Sequence, residues 1–142
     1  MKVAIGSDHA GYELKEKVKN KLVNKGYEVV DLGTDSIESV DYPIFGKAVA
    51  NKVASKECER GIAICGTGIG ISIACNKVKG VRAALCDSEH LAKMSREHND
   101  ANILCMGARI IDEDLAFRIV DTWFATDFLG GKHLRRIKML ED

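Results

Sequence analysis

Apolar positions along the chain change spacing repeatedly, and each change predicts a new element. The chain opens on KVAIGSD, a short β-rich run ending in turn and capping residues, which predicts a strand. From Ala10 to Lys25, Leu14, Val18 and Leu22 recur at every fourth position while Lys15, Lys17, Lys19 and Lys21 mostly fall elsewhere. That spacing predicts a helix with one buried stripe and one solvated face, stopped by Gly26. YEVVDLG predicts a second strand, and after the polar loop TDSIESVDYP a helix follows the only proline, with Phe45, Val49 and Val53 on one side. Gly61 to Cys65 carries no charge and does not alternate, the mark of a strand buried on both faces. Ile69 to Lys77 predicts a helix, VRAALC a strand, Ser88 to His98 a helix and ANILCMGA a fifth strand. Two helices complete the pattern: Asp112 to Thr126, carrying Leu115, Ile119 and Trp123, and one after Gly130-Gly131.

Strands joined in series by helices need crossover connections, and these predict a parallel sheet with helices on both faces. The expected fold is therefore α/β: a doubly wound, five-stranded, Rossmann-like αβα sandwich. The 142 residues are expected to make one domain, 1–142. Ligands of such sheets collect at the carboxyl ends of the strands. That rule draws attention to Asp8 and His9 after the first strand, Cys65 to Gly70 after the third, Asp87 after the fourth, and Gly107 to Arg109 after the fifth.

Charge narrows the range of partners. Lys plus Arg and Asp plus Glu number 21 each, so no overall field draws the chain to nucleic acid or to an anionic membrane, and any anion must be held locally. The longest uncharged segment, Gly61 to Asn76, is interrupted by glycines and falls short of the roughly 20 residues that span a bilayer. The N-terminal MKVAIGSDHAG does not build a signal peptide. Five cysteines, at 58, 65, 75, 86 and 105, form no C-x-x-C pair, which argues against a disulfide framework or zinc knuckle and for a reducing, cytoplasmic setting.

The stretch CGTGIG, residues 65 to 70, holds the most specific chemistry. Glycines at 66, 68 and 70 leave backbone N–H groups bare against a ligand, and the N-terminus of the following helix adds partial positive charge. The loop is thus an anion pocket with a thiol, Cys65, at a corner that favours thiolate. Other glycine loops fail on spacing. The dinucleotide fingerprint G-x-G-x-x-G/A is broken at Ile71 and belongs after a first strand, and the Walker pattern is absent. A cysteine phosphatase would want arginine where Ile71 stands. The remaining cysteines read as buried core residues.

A second, cationic feature lies near the C-terminus. Lys132 and Arg136 are four apart and share a helix face, where like charges repel and Lys132 also opposes the helix dipole; a bound dianion offsets both costs. Leu134, Ile137 and Leu140 give the same segment a side to bury, and Arg109 is a third candidate for the anion. The alternative, a solvated basic tail, stays open on these residues alone. So do local alternatives elsewhere: Asp8 as a helix cap, Tyr42 as packing, His98 as a dipole partner at a helix end, and Asn99 as a C-cap.

SDHAG after the first strand, CGTGIG after the third, Arg-Glu-His-Asn at 96 to 99, and GGKHLRRI near the end resemble, in that order, the type B ribose-5-phosphate isomerases and their relatives acting on galactose 6-phosphate and allose 6-phosphate. The resemblance covers essentially the whole chain. It implies an aldose-ketose isomerase working without metal or other cofactor. Cys65 would be the base, Thr67 its assistant, and the amides from Gly66 through Gly68 and Ile69 to Gly70 would hold the enediolate. His98 would open the sugar ring and Asn99 hold the opened chain. Asp8, His9 and Tyr42 would contact sugar and phosphate, with Arg109, Lys132 and Arg136 on the phosphate. Lys132 stands where the family usually has arginine, and lysine lacks the bidentate fork. The resemblance also implies a homodimer, or a dimer of dimers. His98, Asn99 and Arg109 would then enter the neighbour's site, and the helix at about 130–141 would pack across the interface.

Two other readings remain. One is a preference for a six-carbon sugar phosphate. The other is a non-catalytic, flavodoxin-like regulatory module, although a phosphoryl receiver would want an aspartate ending the third strand, where this chain has Cys65.

Overall fold

The structure is a computed structural model and describes residues 1–141. Five strands alternate with helices: β1 (Lys2–Ser7), α1 (Tyr12–Asn24), β2 (Glu28–Asp31), α2 (Tyr42–Ala54), β3 (Arg60–Cys65), α3 (Ile69–Asn76), β4 (Ala83–Leu85), α4 (Glu89–Glu97), β5 (Ile103–Gly107), α5 (Glu113–Ala125) and α6 (Lys132–Glu141). All strand pairs are parallel, in the order β2-β1-β3-β5-β4. The expected doubly wound architecture is therefore the one observed.

Alternation along the inner strands feeds two cores. Val3, Ile5, Ile62, Ile64, Leu104 and Met106 face α1, α4 and α5, where Leu14, Val18, Leu22, Ala92, Ile119 and Trp123 meet them. Ala4, Ala63, Cys65, Ile103 and Cys105 face α2 and α3, against Val49, Ala50, Val53, Ile71 and Cys75. Small residues on this second side of the sheet let the helices approach closely: a Cβ on Gly61 would stand 2.7 Å from Val49 and on Gly46 2.9 Å from Ile71. No described helix is long and apolar enough to cross a membrane.

Two local expectations change. VRAALC is strand only over Ala83–Leu85, because side chains take over the pairing at its start: Asn102 Oδ1 accepts from the Arg82 amide at 2.8 Å and Asn76 Oδ1 from that of Ala83 at 2.9 Å. Lys15 leaves the solvated face of α1 and is buried to 1% exposure. Its Nζ donates to both oxygens of Asp31, at 2.9 and 2.8 Å, where β2 ends. A long aliphatic stem ending in one well-paired charge satisfies both environments.

The order of the strands positions the site. The chain leaves β1 toward β2 on one side and returns to β3 on the other, so a crevice opens between the ends of β1 and β3. Because β5 rather than β4 lies beside β3, the loop after β5 borders the same crevice, whereas Asp87 sits beyond the far edge strand.

Candidate active site

Cys65 is the last residue of β3, in register with Gly107 of β5. Its carbonyl accepts from the Ala108 amide and that of Gly66 from the Arg109 amide, both at 2.9 Å, which ties the two loops together. The chain then turns through Gly68, at φ 80°, directly into α3. A side chain is excluded there twice over: positive φ strains it, and a Cβ would stand 2.4 Å from Leu85 Cδ1 and 2.8 Å from the Met106 carbonyl carbon. Within this turn the Gly68 N–H donates to Cys65 Sγ at 3.1 Å. The sulfur thus faces the positive ends of two dipoles, one peptide and one helix. It is also nearly enclosed, at 5% exposure.

Around the sulfur stand groups suited to a polar ligand. Thr67 Oγ1 accepts from the Ile69 amide at 3.2 Å, leaving its own proton to donate. The amides of Gly70 and Ile71 have no backbone acceptor among the described residues, as is usual in a first helical turn. Tyr42 lies against that turn: a Cβ on Gly70 would be 2.7 Å from its ring and 3.1 Å from its hydroxyl oxygen.

On the β1 side, Asp8 is buried, and its Oδ1 accepts from the Gly11 amide at 3.1 Å. This is a local turn rather than the helix cap, since α1 begins from Gly11 without a side-chain cap. His9 Nδ1 accepts from the Val40 amide at 3.1 Å, which leaves Nε2 as the ring nitrogen that donates.

The Arg109 guanidinium lies over the glycine loop of its own chain, where a Cβ on Gly66 would be 3.3 Å from Nη1. The reason is the β3-β5 register, which sets Arg109 two residues past the strand end beside Cys65. It makes no ion pair among the described residues, as expected of a cation kept for an anionic ligand.

The other candidates gather elsewhere. His98 caps the C-terminal end of α4, and the Asn99 carbonyl accepts from Arg82 Nε at 2.9 Å, just before the start of β4. His98 and Asn99 therefore lie at the amino edge of the sheet, opposite the edge that carries Cys65. With Lys132, His133, Arg136, Ile137 and Leu140 they line an open cavity of about 550 Å³. Lys132 and Arg136, like Arg109, have no carboxylate partner among the described residues. One chain thus carries two separate clusters of candidate residues: Asp8, His9, Tyr42, the 65–70 loop and Arg109 at one edge; His98, Asn99, Lys132 and Arg136 at the other. His133 belongs to the second group, and only its place inside GGKHLRRI marks it in the sequence.

Comparison with known proteins places the chain in a family. The family model described as Ribose/Galactose Isomerase matches residues 3–140. The chain belongs to that family. It is 46% identical to ribose-5-phosphate isomerase B of Escherichia coli over 139 residues, covering 98% of this chain and 93% of that protein. Among solved structures in the family, ribose-5-phosphate isomerase B of Clostridium thermocellum superposes with a TM-score of 0.99 at 57% identity, covering 99% of this chain and 95% of that one. The enzyme of Mycoplasma genitalium, solved with bound ribulose-5-phosphate, gives 0.95 at 42% identity, covering 99% and 93%.

Proposed function

We propose that this chain interconverts ribose 5-phosphate and ribulose 5-phosphate through an enediolate, with Cys65 as the base. The reading is carried by the Gly68 N–H contact to Cys65 Sγ at the mouth of a glycine loop, in a chain of the ribose/galactose isomerase family. The reaction starts from a closed sugar ring. His98 gives a proton to the ring oxygen while the anomeric hydroxyl loses one, and the open aldehyde results. The Cys65 thiolate takes the proton from C2, and the electron pair left behind spreads over C2, C1 and O1. Backbone amides of the 66–70 loop stabilise that charge without having to reorganise. The O2 proton passes to O1 with the Thr67 hydroxyl assisting, and Cys65 returns its proton to C1, giving the ketose. No electrons leave the substrate, so the steps balance without a redox partner.

The phosphate would rest among His9, Arg109, Lys132 and Arg136, with Asp8 and Tyr42 on the sugar hydroxyls and Asn99 on the opened chain. This division requires two chains. The half-site at the amino edge of one copy completes the half-site at the carboxyl edge of the other, and α6 packs across the interface. In support, only Ile137 of α6 is buried within the chain, while Leu134, Met139 and Leu140 are exposed. Ile69 and Ile73 likewise form an exposed apolar pair on α3 beside Leu85 of the edge strand. Five unpaired thiols accord with work in a reducing, cytoplasmic compartment.

The test is ketose formation from ribose 5-phosphate by the protein freed of metal with a chelator, repeated with Cys65→Ala. Loss of a positioned base lowers turnover by about 10² to 10⁴. Equal turnover in the variant rejects the base assignment; no turnover by the parent rejects the reading.

A further inference from the structure

A catalytic imidazole needs its ring plane fixed, and a hydrogen bond to the ring nitrogen not used in chemistry commonly fixes it. His98 has no such bond to protein: among the described residues neither of its ring nitrogens is paired, and its amide bond to the Met94 carbonyl at 2.9 Å anchors only the backbone. What holds the ring is another ring. His133 lies parallel to it, with centroids 4.3 Å apart and an angle of 10° between the planes.

Several features deliver His133 to that place. The chain returns to the end of α4 where the Leu129 amide donates to the Glu97 carbonyl at 3.1 Å. Gly130 and Gly131, at φ 72° and 59°, then turn it sharply into α6. Ile137, one turn after His133 and on the same face, is the buried anchor that keeps the helix seated. Both residues line the cavity shared with Lys132 and Arg136. Desolvation first, then His98, Lys132 and Arg136, push the His133 proton affinity down against a smaller opposing effect of Glu97. Near neutral pH His133 is therefore an uncharged flat surface rather than a competing cation.

Resting on the proposed isomerase reading, we propose that His133 is a positioning residue: its stacked ring sets the plane of His98 and leaves both His98 nitrogens free to move protons at the sugar's ring and anomeric oxygens. It needs no contact with substrate, and what it supplies is a flat face.

The test is steady-state turnover of ribose 5-phosphate by His133→Ala and His133→Phe. We expect Ala to lower kcat about tenfold with KM within about twofold, since orientation is lost and phosphate binding is kept. Phenylalanine, flat and unable to titrate, restores most of kcat. In proton NMR the ring protons of His98 should lie upfield in the parent and in the Phe variant, and move downfield in the Ala variant. An unchanged kcat in Ala, a Phe variant as slow as Ala, or a KM that rises as kcat falls overturns the proposal while leaving the isomerase reading intact. A parent that turns over no sugar phosphate overturns both.

Discussion

Cys65 and His98 stand at opposite edges of the same sheet, one at the carboxyl end of β3 and the other at the C-terminal end of α4, which runs back toward the start of β4. Two groups proposed for one reaction cannot meet within a single copy. The reaction therefore makes a geometric demand of the protein as well as a chemical one.

The turn at Gly68 is the narrowest constraint on the sulfur. Gly68→Ala must relieve a positive φ and displace Leu85 or the backbone at Met106 and Gly107. We expect about 2–3 kcal/mol of lost stability, the usual scale of such strain, measured by urea unfolding. Turnover should fall at least about 100-fold in the fraction still folded, because the amide that meets Sγ is displaced.

Thiol reactivity should single out Cys65. Burial pushes the Cys86 thiol up to about 11, despite a hydrogen-bond contact with Ser95. Burial also raises that of Cys58, and a hydrogen bond with Cys75 together with burial raises that of Cys105 well above normal. Those thiols stay protonated at neutral pH. Brief iodoacetamide labelling of the native protein, read by peptide mapping, is expected to mark Cys65 first, with the sugar phosphate protecting it. First labelling at Cys86 or Cys58 would contradict this account of the loop.

At position 132, lysine offers a point charge where a guanidinium would grip two phosphate oxygens. Lys132→Ala should raise KM for the sugar phosphate about tenfold and leave kcat nearly unchanged, the signature of uniform binding. Lys132→Arg should lower KM several-fold. An unchanged KM in the Ala variant would remove this residue from the phosphate site.

The Lys15–Asp31 pair links stability to pH. Burial opposes ionisation of Asp31, but hydrogen bonds from Lys15, the Gly33 amide and Lys19 outweigh it and hold the carboxyl below its ordinary 3.8. A depressed folded value stabilises the protein above the unfolded value, and that stability is lost as pH falls through the folded one. The denaturation midpoint should thus drop from about pH 4 downward, and Asp31→Asn should flatten that drop. Lys15→Met keeps the stem and removes the charge. It should cost about 2 kcal/mol, below the usual penalty for breaking a buried pair because Lys19 still reaches Asp31 at 2.9 Å.

What the sequence discloses and what it withholds follow from range. The glycine loop and its thiol are set by neighbours within a few residues, so spacing alone exposes them, whereas His98 reads locally as a helix-end residue and stands out only through the family resemblance. Arg109 is different: its place over Gly66 depends on β5 inserting between β3 and β4, a choice made across the whole sheet. Periodicity counts every lysine as polar, so it misses Lys15, whose charge is satisfied by a residue 16 positions away. The His98–His133 stack joins residues whose meeting depends on how α6 folds back on α4.

Subunit mixing tests the shared site most directly. Cys65→Ala and His98→Ala are each expected to be nearly inactive as purified proteins. When the two are unfolded together, refolded as a mixture and checked for mixed dimers by mass, each mixed dimer carries one intact site. Activity should then return to about a quarter of the parent's, since half the dimers are mixed and half their sites are whole. Mixed dimers that form and remain as inactive as either variant would contradict a site built from two copies.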